Sequence, residues 1–306
     1  MREVKAAMRK KSTAWQRNRT ITGVVFLVPF FFVTAVFILC PLFSVIRYSF
    51  YNWNGIGKPK FVGLDNYKML PTTEGFWTMA GATLIYAVGV TAMVVVLGYL
   101  LALMLDQQGR LRINRTLMRV FWFFPCLLSG IIVGIIWHIM YNYNSGLVNY
   151  ILHAIGLPRV NWLETYGVTM FAVIVASVWS QLGMCAIIFL AGLQGIPTDI
   201  LEAASIDGAN RWQREVKVVL PIMAPSITIN VITTSIAAFK AYELPFTVSN
   251  GLPGYSTRLL TQRVYFYSFE TNKYGIASAL SVLLIVVITI FSLLQLVVLK
   301  KREDIY

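Results

Sequence analysis

Six stretches of the chain, at residues 22–46, 76–105, 118–141, 167–190, 220–239 and 275–299, are almost wholly apolar. Each is long enough to cross a hydrocarbon layer, which takes roughly 20 apolar residues in helical form. None holds Asp, Glu or Lys, and the single Arg among them, Arg119, stands at a window edge. The pattern predicts six membrane-spanning helices with polar connections. The most highly charged connection is residues 197–221, PTDILEAASIDGANRWQREVKVVLP, between the fourth and fifth windows.

Within that connection, Pro197 and Thr198 end the preceding span, and Thr198 is placed to N-cap a short helix over 199–207. Asp199 falls in its first turn, where a negative charge suits the helix dipole. Gly208 is the expected stop, because a glycine after the last turn takes the left-handed conformation without penalty. Asp207 and Asn210 are both placed to cap a second helix, RWQREVKVVL, which runs to Pro221, read as the opening of the fifth span. The first helix shows Ala203, Ala204 and Ser205 beside Ile200, Leu201, Ile206 and Glu202. Two readings fit: an amphipathic loop helix in the headgroup zone, or a rigid hairpin through which a soluble partner pushes on the spans.

Composition agrees with a membrane protein. Of 306 residues, 57% are hydrophobic and 13% charged, with mean hydropathy +0.67, whereas soluble domains carry about a quarter charged residues. The first window is too long for a signal-peptide core and lacks a small-residue cleavage site. A basic tail with Arg2, Lys5, Arg9, Lys10, Lys11, Arg17 and Arg19 precedes it. With that tail cytoplasmic, 17 Lys and Arg fall on the inner side and 8 on the outer, leaving only Lys240 of the 26 unassigned. That asymmetry follows the positive-inside rule and expects both termini and the charged connection to be cytoplasmic. It also accounts for the net charge of +13 through lipid and topology, so no nucleic-acid partner is expected.

Catalytic chemistry finds no support. GIGKPK at 55–60 lacks the first glycine of a phosphate-cradling loop and has Pro59 where a hydroxyl residue belongs. The two histidines, His138 and His153, have no carboxylate nearby in sequence. Cys40, Cys126 and Cys185 all fall inside windows and show no metal spacing. Proton-coupled carriers keep ionisable residues within their spans; here only Lys240 and Glu243 come near. Energy for uphill transport would have to come from another chain.

The run E-A-A-x-x-D-G-A at Glu202–Ala209, followed by Trp212, Gln213, Leu220 and Pro221, resembles the cytoplasmic signature of binding-protein-dependent ABC importer permeases. AGLQGIP at 191–197 is similar to the same family. FVGLDNY at 61–67, GLVNYILHAIGL at 146–157, NWL at 161–163 and FKAYE at 239–243 resemble its carbohydrate, maltose-type branch. The likeness covers roughly residues 20–300. It implies an all-α, six-span type I importer permease fold with a cytoplasmic coupling helix that docks on an ATPase. Glu202, Ala203, Ala204, Asp207, Gly208 and Ala209 would form that contact. It also implies a second homologous permease, two ATPase subunits that bind ATP and Mg, an extracytoplasmic solute-binding protein and a carbohydrate substrate. No cofactor is expected in this chain. SNGLPG at 249–254 departs from the G-G-P that the family often shows, and residues 47–75 are too short for the large outer domain of some members.

For the substrate, the resemblance implies a pathway along the fourth and fifth spans. Asn230, Thr233, Thr234, Ala237 and Ala241 share one helical stripe of the fifth window. Small residues and hydroxyls fit a polyol pore and fit helix packing equally. Gln181, Met184 and Thr234 align with sugar-contacting positions of maltose-type members, while Ala238 and Ala241 stand where those members carry amides. Trp137, Trp179 and Tyr242 fit sugar stacking or an interfacial belt. Lys240 either snorkels outward or meets an anionic sugar. The expected arrangement is a basic tail at 1–20, a permease domain at 21–299 with its coupling loop at 193–219, and a short tail at 300–306. The expected location is the membrane of a bacterial or archaeal cell. An oligosaccharide importer is the favoured reading. Glycerol phosphate or another anionic polyol, and an ATP-independent channel or carrier, are the alternatives.

Overall fold

The computed structural model describes residues 22–106 and 115–303. The basic tail at 1–20, Arg110 and Arg112, which enter the orientation argument, lie outside the described residues, as do residues 304–306 of the C-terminal tail. The principal helices in chain order are α1 (Thr22–Tyr48), α2 (Phe76–Asp106), α3 (Arg115–Phe123), α4 (Gly130–Met140), α5 (Val168–Gln194), α6 (Thr198–Ile206), α7 (Arg211–Ile222), α8 (Ala224–Phe239), α9 (Glu243–Ser249) and α10 (Tyr274–Glu303). Among the described residues, one two-stranded antiparallel ribbon, Tyr51–Asn52 with Lys60–Phe61, departs from helix, and GIGKPK is the loop that it closes.

Four of these helices, α1, α2, α5 and α10, are long and apolar enough to span a membrane unbroken. The third and fifth windows, expected as continuous helices, are not. In the third, residues Val120–Leu127 and Gly130–Met140 meet at 110°. Pro125 has no N–H to give back along the helix, the chain tightens into a 3-10 turn, and Leu128 and Ser129 are extended. Ser129 then caps α4, accepting from the Ile132 amide at 3.4 Å. In the fifth, α7 and α8 meet at 67°. Pro225, not Pro221, opens the straight limb: it can make no bond to the carbonyl four residues back, and the helix stops at Met223 before it. Ahead of Pro41 and Pro221 the helix widens instead. The Cys40 and Leu220 amides reach back five residues, to Ala35 and Glu215, in π turns.

The core is the parallel pair α2 and α5. Tyr86 donates to Ser177 at 2.9 Å, and further along Tyr99 packs edge-on against Phe189. Small residues let the two backbones approach. A methyl built on Gly98 would lie 2.7 Å from the Cys185 sulfur; where α5 instead meets α3, one on Gly183 would lie 2.4 Å from the Trp122 carbonyl oxygen. Val90, Val94, Val173 and Phe189 fill the seam without measurable exposure. Antiparallel α8 packs on α2 and α5, and α10 on α8; Thr91, Ser235 and Gln295 join α2, α8 and α10 through hydroxyls, with Gln295 donating to Ser235 at 2.8 Å. By contrast α1 buries nothing in its spanning window and presents phenylalanine and aliphatic side chains outward. In water that surface would be prohibitive; in lipid it is matched.

Two of the sequence signatures are pegs for the loops. The buried Asn66 amide of FVGLDNY donates to the Ser49 and Tyr51 carbonyls at 2.8 and 3.0 Å, fixing the exit of α1. Asn149 donates to the Tyr143 and Val160 carbonyls and accepts from the Val160 amide and the Trp162 indole of NWL, all within 3.1 Å.

Because the Trp122 carbonyl belongs to backbone, it cannot swing aside for a methyl. Gly183→Ala should therefore lower stability by about 1–3 kcal/mol, read as a fall in melting temperature of the purified protein. Gly81→Ala, inside α2 with nothing within 4 Å of the added methyl, should instead hold or raise stability, by up to about 1 kcal/mol.

Candidate functional site

Where α5 and α8 diverge, they enclose a cavity of about 380 Å³. From α5 it takes Ser180, Gln181, Met184, Cys185 and Ile188, and from α8 Asn230, Thr233, Thr234 and Ala237. Five of the seven residues expected on the substrate path, Gln181, Met184, Asn230, Thr233 and Thr234, thus meet at one place. Asn230 is 1% exposed, and its amide nitrogen has no hydrogen-bond partner. Such a donor costs about 1–3 kcal/mol when left unpaired, so it is the strongest polar demand in the cavity. Thr233 donates to the Ile229 carbonyl at 2.6 Å, Ser180 to the Ser177 carbonyl at 3.0 Å and Gln181 to that same carbonyl at 3.4 Å. Their oxygens remain able to accept. Among the described residues, no carboxylate, imidazole or amine lines the cavity, and the side chains that do line it suit an uncharged, hydroxyl-bearing solute.

Sequence reasoning missed the third wall. Cys126, Leu128 and Gly130, from the break between α3 and α4, complete the lining. A signal was present: Pro125 and then Ser129-Gly130 inside an apolar window, and interrupted spans in transporters gather at binding sites.

Two expected path residues lie elsewhere. Lys240 follows the end of α8, is exposed, and borders a separate groove of about 480 Å³ toward α10, with Thr261 and Ser281. Helix α8 ends at Phe239, so the helical phase that would carry a later residue round to the cavity is lost. Ala241 leaves the stripe for the same reason, its carbonyl accepting from Thr261 at 2.6 Å. Tyr242 stacks between Phe246 and Tyr265 at 5.6 and 5.0 Å. Burial first, then Tyr265, Glu270 and Glu243 beside it, hold its phenol above the usual pKa, and it stays a neutral hydroxyl. Trp137 and Trp179 pack on each other at 5.9 Å rather than opening a face. His138 meets the Val248 carbonyl at 2.8 Å, an ordinary satisfied imidazole.

The charged connection is a helical hairpin at the end of α5. Helix α6 begins at Thr198 itself; Pro197 takes the cap position, and the Thr198 hydroxyl faces Asp199 instead of capping. It stops as expected. Gly208 is left-handed at φ +77, the Ala209 amide bonds the Ala204 carbonyl at 3.0 Å, and the Gly208 amide the Ser205 carbonyl at 3.2 Å. This crossed pair closes a helix end that needs glycine. Asn210, not Asp207, caps α7. Its side chain accepts from the Gln213 amide at 2.8 Å while the Gln213 side chain accepts from the Asn210 amide at 2.9 Å, a reciprocal capping box. Glu202, Ala203, Asp207 and Gly208 are exposed, Ala204 and Ala209 half-buried. Glu202 borders a groove with Leu201, Ser205, Ile206 and Arg214, and Ile206 and Trp212 stand 86% and 75% exposed. The hairpin is thus capped at both helix ends by local bonds and leaves its apolar tips in the open.

Residues 94–304 match the family described as "Binding-protein-dependent transport system inner membrane component". The chain belongs to this family. Among its relatives, the multiple sugar-binding transport system permease protein MsmF of Streptococcus mutans is 36% identical over 92% of this chain and 96% of its own. The probable starch degradation products transport system permease protein AmyD of Thermoanaerobacterium thermosulfurigenes is 30% identical over 91% and 94%. A chain of a bacterial ABC transporter involved in the import of the acidic polysaccharide alginate has the same fold, with TM-score 0.82 at 22% identity, covering 94% of this chain and 98% of that one. As in its relatives, this permease family member is a multi-helix membrane protein.

The capping box gives a local test. Asn210→Ala should cost the hairpin about 1 kcal/mol and speed amide exchange at 211–214 about fivefold. Amides of α2 and α5, measured in the same hydrogen-exchange experiment, should not change.

Proposed function

We propose that this chain is a permease subunit of an ATP-driven importer that passes a carbohydrate, an oligosaccharide, across the membrane of a bacterial or archaeal cell. One observation carries the reading: a single helix, α5, lines the polar cavity with Gln181 and Met184 and runs at Gln194 into the exposed hairpin. A push on the hairpin therefore moves a cavity wall. The sugar-transport relatives, MsmF and AmyD, support the substrate class. The cavity's lack of charge favours a neutral sugar over glycerol phosphate or another anionic polyol, since Lys240 lies on a different groove.

In this reading each bent pair is one span, giving six spans with both termini and the hairpin cytoplasmic. The permease domain occupies residues 21–299, the coupling loop 193–219. Glu202, Ala203, Ala204, Asp207, Gly208 and Ala209 form the contact with one of two ATPase subunits, which bind ATP and Mg and do the hydrolysis. A second homologous permease closes the pathway. An extracytoplasmic solute-binding protein delivers the sugar, as the alginate transporter solved with its pentasaccharide-bound periplasmic protein suggests by likeness. Gln181, Met184, Asn230, Thr233 and Thr234 meet the sugar. ATPase closure, acting through α6, shifts the balance between outward- and inward-open states.

The test is ATPase activity and uptake by the reconstituted complex with candidate binding proteins and sugars. One loaded binding protein should stimulate hydrolysis, and Glu202→Lys should abolish the stimulation with the complex still assembled. Flux through this chain alone, indifferent to ATP, would replace the reading with a channel or carrier. Asn230→Leu should separate fold from function: it removes an unpaired buried amide, so thermal stability should hold or rise, while uptake falls by about tenfold, the equivalent of about 1.4 kcal/mol.

A further inference from the structure

We propose that Tyr99 and Glu215 form a latch that ties the hairpin to α2 as well as to α5, making both positioning residues for coupling. The inference rests on the coupling reading above. The Tyr99 hydroxyl donates to Glu215 Oε1, across 116 residues of sequence. The Tyr99 ring also packs edge-on against Phe189 of α5, with centroids 5.4 Å apart at 81°, so one side chain touches the second span, the fourth-window helix and the hairpin's return limb.

Glu215 opens the π turn Glu215–Val219, whose extra residue sets the direction in which α7 leaves the hairpin. Its carboxylate is half-buried in a segment whose other charged side chains are mostly exposed. A carboxylate drawn toward apolar surroundings needs a donor, and Tyr99 supplies it. The next residue back, Arg214, reaches the Ser205 hydroxyl of α6 at 3.4 Å. A polar path thus runs from α6 through α7 to α2. Helix α2 contributes no side chain to the cavity lining. Yet it packs against both walls, through Tyr86 on Ser177 of α5 and Thr91 on Ser235 of α8. Displacing the hairpin would move both walls together instead of bending α5 alone.

The experiment measures sugar taken up per ATP hydrolysed by the complex in proteoliposomes, with assembly yield and melting temperature alongside. Tyr99→Phe, which removes one oxygen, and Glu215→Leu should each lower the ratio about tenfold, corresponding to about 1.4 kcal/mol, with yield unchanged; Tyr99→Phe, which leaves the carboxylate without its donor, should also lower the melting temperature, whereas Glu215→Leu, which removes the carboxylate, should not. Glu215→Gln keeps an oxygen that accepts from the phenol and should stay near wild type, and the double variant should be no worse than either single one. An unchanged ratio in Tyr99→Phe and Glu215→Leu overturns the latch while the wild-type complex still couples ATP to uptake. So does a loss confined to yield and melting temperature, which marks a merely structural contact. A wild-type complex that takes up sugar without ATP overturns the importer reading, and the latch with it.

Discussion

A hydrocarbon layer offers no partner to a backbone N–H or C=O, so a spanning chain must satisfy each of them within itself or against other protein. The organisation of this molecule follows from that constraint. Helices α1 and α10, which face outward over most of their length, run through the window as helix, widening at most to a π turn before Pro41. Both interruptions lie against other protein: Gly130 faces Glu243 and Leu244 of α9, Trp122 faces Gly183 of α5, Met223 faces Gly192 of α5, and Ser129 supplies an oxygen to the Ile132 amide. At the break after Pro125, interrupted helix and polar cavity coincide, as expected where backbone can leave the helix only against a polar or packed surface.

Covering the breaks demands close approach, and close approach demands small residues. Gly98 where α2 meets α5, Gly192 where α5 meets the start of α8, and Gly183 where α5 meets α3 have neighbours where a methyl would stand. Without a hydrophobic drive between helices in lipid, such contacts supply dispersion and allow hydroxyl bridges such as Tyr86 to Ser177. The result is a stiff inner bundle wrapped by lipid-facing helices. In the proposed coupling, that stiffness carries a displacement at the hairpin to a cavity on the same helix.

The hairpin itself is written in short-range code. The crossed bonds at Gly208 and the reciprocal cap between Asn210 and Gln213 link residues at most five positions apart. They give α6 a defined direction while leaving its surface, Glu202 and the exposed Ile206 and Trp212 beside it, unspent. The signature residues divide accordingly: Gly208 and Gln213 shape the element, and Glu202 and Ala203 face outward from it.

The sequence alone determined whatever rests on local rules or on the match of side chain to solvent. Apolar length located the six windows, a glycine after a helical run located the end of α6, and helical spacing put Asn230, Thr233 and Thr234 on one stripe, whereas Gln181 and Met184 were pointed to by the family resemblance. Tertiary structure decided whatever depends on two distant segments at once. Leu128 and Gly130 reach the cavity only because the chain turns by 110° at a break that α5 stabilises. Lys240 leaves it because α8 ends one residue earlier, and Tyr99 meets Glu215 because α2 and α7 cross at that height. Helical phase and solvent matching act within a turn or a window and can be read along the chain. The lateral packing of one helix against another is a property of shapes from distant segments, and no single stretch of sequence contains it.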